Sequence, residues 1–123
     1  MRLSLFLTIK AVISIISGLA LLLLPGAFMG LAGVTLDAGG AVMARLVGAL
    51  LVGIAVLCWV ARSSGPSQGR EAALLGLFVG DALGFVVVLI AQLGGIMTAF
   101  GWVFVLLWLL LAAGLGYFRF LVK

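Results

Sequence analysis

Chemistry in this chain would have to come from three ionisable side chains set inside long apolar stretches: Lys10, Arg45 and Asp81. Asp81 lies in the run Gly76-Leu77-Phe78-Val79-Gly80-Asp81-Ala82-Leu83-Gly84, within an otherwise apolar segment from Ala72 to Ala91. A carboxylate near the middle of a bilayer costs roughly 2.5 to 3.5 kcal/mol on insertion scales. It is therefore expected to face a bundle interior and to have a cationic partner or a proton. Lys10 and Asp81 fall on helices that start from the same side, at depths of about 10 and about 17 Å, a gap that a lysine stem nearly closes. They are the preferred pair. Arg45 approaches Asp81 from the other side, so a carboxylate shared between two cations is the alternative. Either arrangement serves as a structural ion pair at least as readily as a working site. Snorkelling to the membrane surface is the plain alternative for Lys10 and for Arg45.

The remaining inventory argues against catalysis. Histidine, the commonest haem and zinc ligand and the commonest general base, does not occur. The single cysteine, Cys58, lies in an apolar segment and reads as a small core residue. The glycines form no phosphate loop between strand and helix, and no two acids share a helix at metal-ligand spacing. No catalytic residue, metal site or cofactor is expected.

The elements that hold these residues follow from composition. Of 123 residues, 67% are hydrophobic and 8% charged, against about 25% charged in soluble domains, which makes this a membrane protein. Four apolar segments of roughly 20 residues, each long enough for a ~30 Å hydrocarbon core, leave room for one domain only. The expected fold is all-α, an integral membrane four-helix bundle with helices at about 3–24, 39–62, 68–92 and 97–120. Arg2 before an apolar run resembles the start of a signal peptide, but Lys10 interrupts the run and no small-residue cleavage site follows, so a retained first helix is expected.

Pro25-Gly26 ends the first helix. On that helix Lys10, Ser14, Ser17 and Gly18 share one face, which should pack inward. The stretch from Pro25 to Gly40 is apolar, glycine-rich and carries only Asp37, which suggests an interfacial or re-entrant segment with a short helix from Phe28 to about Val34. Small residues recur at four-residue spacing in two further helices. Gly76, Gly80 and Gly84, with Gly48 and Gly53 on the second helix, are the expected close-packing faces. Trp59 ahead of Arg62 is an aromatic-then-basic exit at a membrane surface, and 62–70 is the one plainly hydrophilic linker. Gly94-Gly95 is the turn before the last helix, where Trp102 and Tyr117 mark interfaces and Trp108 lies midway.

Arg2, Lys10, Arg62, Arg70, Arg119 and Lys123 flank one side, and the other side has Asp37 and Arg45. The positive-inside rule puts both termini and the middle linker in the cytoplasm. The high pI is then explained by topology and anionic lipid, not by nucleic acid.

Leu24-Pro25, the apolar loop with Phe28 and Leu31, and Arg45-Leu46-Val47-Gly48-Ala49 with Leu51 and Gly53 resemble the first half of the DoxX-like group of small four-helix bacterial membrane proteins. The resemblance implies that fold. Many of that group have an acidic residue near the position of Arg45, so no family role transfers to it. Small multidrug transporters are similar in length but carry their membrane carboxylate in the first helix, where this chain has Lys10. Gly94-Gly95-Ile96-Met97-Thr98-Ala99-Phe100 is similar to part of the fluoride-channel signature, without the hydroxyl residues that should follow.

The function expected from these features is a non-enzymatic protein of a bacterial inner membrane, multi-pass, an accessory subunit or a bundle that binds lipid or a small apolar ligand. Its expected partners are membrane lipid and a homo-oligomer or larger membrane complex, with no nucleic acid. The alternative is a small oligomeric proton- or ion-coupled transporter with Asp81 as its midplane carboxylate.

Overall fold

The computed structural model describes residues 2–121; Lys123, counted above among the basic flanks, lies outside them. The elements are helices α1 (Leu3–Leu23), α2 (Pro25–Gly30), α3 (Ala38–Ala61), α4 (Gln68–Leu93) and α5 (Gly101–Gly116), the last running into a π-helical turn at Tyr117–Leu121. The protein is all-α among the described residues, with four helices long and apolar enough to cross a membrane: α1, α3, α4 and α5 with its π turn. The chain divides into two compact units, Met1–Ser63 and Ser64–Lys123.

In the first unit α1 stops at Leu24, held out of the helical region at φ −135° and ψ 59° as a residue before proline usually is. Pro25 does more than end α1. It takes the first position of α2, where a missing N–H is no loss, so the short helix begins three residues earlier than Phe28. Gly33, at φ +76°, closes it. The Val34 N–H donates to the Met29 carbonyl and the Gly33 N–H to the Gly30 carbonyl, both at 3.0 Å, a Schellman ending that needs a left-handed residue. Asp37 then starts α3: its carboxylate accepts from the Gly40 N–H at 2.6 Å. The only charge of the apolar stretch before α3 thus serves as an N-cap.

α1 and α3 pack against each other through backbone. A Cβ on Gly18 would stand 2.9 Å from the Gly48 carbonyl oxygen and from the Val52 nitrogen. One on Gly48 would stand 2.6 Å from the Leu22 nitrogen. Absence of side chains on both helices is what allows this crossing.

In the second unit Ser67 caps α4 by accepting from the Arg70 N–H at 3.1 Å. Glu71 in the first turn sits where the helix dipole favours an anion, and Arg119 of the π turn lies 3.3 Å from it. α4 ends as α2 does, with Gly95 at φ +77° and the Ile96 N–H donating to Ala91. The last helix begins at Gly101, not at Met97. Residues 97–100 are taken up in the connection, where Gln92 Nε2 donates to the Thr98 carbonyl at 3.2 Å. Gly101, Trp102 and Val103 each donate three residues back, a tighter entry than an α-turn. A Cβ on Gly101 would run into Gln92 Oε1. α4 and α5 meet where Trp108 covers Gly84 and Phe78 covers Gly116, and Phe78 meets Phe120 edge to face at 5.3 Å.

Candidate functional site

The first unit carries an apolar groove of about 260 Å³ between α1 and α3. Ala11, Val12 and Ile15 form one wall, and Ala55, Val56 and Trp59 the other. Its origin lies in residue size. Ala11 and Ala55 are both buried, and their methyl groups leave a trough where larger side chains would close the seam. Val12, Val56 and Trp59 are exposed along the rim. At one end the Arg62 guanidinium lies over the Trp59 ring, 3.7 Å from its centroid. One helical turn separates these two residues. Trp59 before Arg62 was legible as a membrane-surface pair; the groove was not, because it depends on how two helices are rotated against each other.

Lys10 and Ser14, expected to face inward on α1, are both buried, at 1% and 3% exposure. Gly18 is buried with them and Ser17 is half-buried. Asp81 is buried on α4 in the second unit, at 5% exposure. Arg45 is different. It is exposed on α3 and forms no ion pair among the described residues. It sits about 10 Å along the helix from Ala38. Among the described residues no three His, Cys, Asp or Glu side chains gather at distances that would hold a metal ion.

The glycine faces divide. Gly48 is in backbone contact with α1, and Gly84 lies under Trp108. Around Gly53, Gly76 and Gly80 nothing lies within 4 Å of where a Cβ would stand. The buried face of α4 is set by Leu74, Leu77 and Asp81. Positions four apart drift by about 40° at 3.6 residues per turn, so Gly84 turns toward that face while Gly76 lies behind it. Sequence spacing did not identify Gly18 as the partner of Gly48, although it placed Gly18 on the inward face of α1.

Four membrane-length helices, with a groove between two of them, define a small multi-pass membrane protein. More narrowly, the chain belongs to the family described as a domain of unknown function, DUF8292, whose model matches residues 1–118. No curated protein and no solved structure matches it. The family description carries no link to the DoxX-like group.

Proposed function

We propose that this is a non-enzymatic protein of a bacterial inner membrane that holds a lipid or another small apolar ligand against its first helix pair, as an accessory to other membrane components. The observation that carries this reading is the groove between α1 and α3, walled wholly by apolar side chains. Its volume falls below the roughly 300 to 1,000 Å³ of pockets that enclose a whole ligand. A groove of that size suits part of a ligand, such as one segment of a chain lying along the protein. The basic residues Arg2, Arg62, Arg70 and Arg119 support a cytoplasmic position for both termini and the 62–70 linker.

Native mass spectrometry of the protein extracted in mild detergent tests the reading. Wild type is expected to retain one lipid or apolar molecule. Val12→Trp and Val56→Trp, on the exposed rim where a larger side chain is tolerated, are expected to fill the groove and lose it. Equal retention by wild type and both variants would refute ligand binding in the groove.

Burial of Asp81 favours a second reading, a proton- or ion-coupled transporter. In it Asp81→Asn abolishes flux in proteoliposomes and leaves the fold intact.

A further inference from the structure

Arg62 stands apart from the basic residues that follow it. Arg70 donates through Nη1 to the Ser64 carbonyl at 3.4 Å, and Arg119 lies 3.3 Å from Glu71. Among the described residues Arg62 has neither kind of partner. The carbon at the centre of its guanidinium lies 3.7 Å from the centroid of the Trp59 ring, and among the described residues no carboxylate pairs with it. Stacking on an aromatic face uses the plane of a guanidinium and leaves its edge free for acceptors lying in that plane. Phosphate oxygens meet that edge in a two-point contact that a lysine ammonium does not reproduce.

The Trp59 ring that supports this cation is also a wall of the groove. One end of an apolar trough therefore abuts a positive charge that has no carboxylate partner among the described residues. Alanine 55, at the trough floor, lies seven residues before Arg62, about 10 Å along the helix. A cation at the head of an apolar path of that length is complementary to an amphipathic molecule with an anionic head and an aliphatic tail. We propose that the groove takes one acyl chain of an anionic phospholipid and that Arg62, braced by Trp59, binds its phosphate. This rests on the lipid-binding reading above and names the lipid class.

The test offers the detergent-solubilised full-length protein equal amounts of phosphatidylglycerol and phosphatidylcholine with the same acyl chains, and counts bound lipid by native mass spectrometry. Wild type is expected to prefer phosphatidylglycerol by about fivefold, the effect of one basic residue at an anionic headgroup. Arg62→Gln should bring the ratio near one, lowering phosphatidylglycerol retention more than that of phosphatidylcholine, whose phosphate is already neutralised by its own choline. Arg62→Lys should restore only part of the preference. Arg45→Gln, which removes an exposed charge from a different part of α3, should leave the ratio unchanged. Val56→Trp should lower retention of both lipids. If Val56→Trp empties the groove but Arg62→Gln leaves both the ratio and the retention of each lipid at their wild-type values, the lipid reading stands and the phosphate assignment fails. Equal effects of Arg45→Gln and Arg62→Gln would reduce the preference to general surface charge and overturn the assignment. No effect of Val56→Trp on either lipid would overturn both.

Discussion

Gly48→Ala adds one methyl group at the α1–α3 crossing, and the geometry sets its cost. The new Cβ would stand 2.6 Å from the Leu22 nitrogen and 2.7 Å from the Gly18 oxygen, whereas ordinary contact begins at 3.4 Å. Both obstacles are backbone, so no rotamer change relieves them. The helices must part by roughly an ångström, and a gap of that size forfeits a quarter to a half of the dispersion energy of each contact it opens. Overpacking of this kind costs about 1 to 3 kcal/mol. Gly53→Ala is the internal control: same helix, same substitution, nothing within 4 Å. There the better helix propensity of alanine is worth up to about 1 kcal/mol of stabilisation. The two variants should therefore differ by about 1 to 4 kcal/mol. Unfolding by sodium dodecyl sulfate in mixed micelles, followed by circular dichroism, measures the difference. Gly18→Ala should resemble Gly48→Ala, and the double variant should cost less than the sum, because helices parted once need not part again. Superimposable curves for Gly48→Ala and Gly53→Ala would refute backbone contact at this crossing.

On α4, Gly80→Ala should, like Gly53→Ala, raise stability by up to about 1 kcal/mol while Gly84→Ala lowers it by about 1 to 3 kcal/mol, since only Gly84 has a ring in the way; equal melting of the two would remove the Trp108 contact from the account. The pairing of Lys10 with Asp81 expected from the sequence calls for a double-variant cycle. Breaking a buried pair costs about 3 to 5 kcal/mol, so Asp81→Asn should destabilise and Lys10→Met combined with it should recover part of the loss. Absence of coupling, with Asp81→Asn as stable as wild type, would defeat the pairing and favour the transporter. For topology, single cysteines at 63–68 in a Cys58→Ala background should be labelled only from the cytoplasm and one at Asp37 only from outside; labelling of position 64 from both faces of intact cells would overturn a single orientation.

The helices themselves were legible because length and hydropathy suffice for a membrane span, and α3 and α4 start and end within a residue of expectation. What escaped depended on partners. Residues 97–100 contain no glycine, proline or charge, so little in their pattern reveals that they turn, and the Gln92 side chain that fastens the turn comes from α4. Asp37 read as a loop charge, yet a carboxylate immediately before a helix is a cap first. The glycine spacing around Asp81 was visible, but spacing gives a stripe and not the direction it faces. That direction came from the bulkier Leu74 and Leu77. Burial of Lys10 and Ser14 was legible from their shared face with Gly18, since small and polar residues on a membrane helix have little reason to face lipid.

The crossing of Gly18 and Gly48 also bears on the order in which the protein is made. Every residue of that contact, and of the groove beside it, lies before Ser64. Chains emerge from the ribosome N-terminus first, and compact units close as they appear. The first hairpin can thus zip shut in the bilayer while α4 is still inside the translation machinery. Damage at Gly48 would strike the nascent chain at its earliest point of assembly, before the second half exists to rescue it.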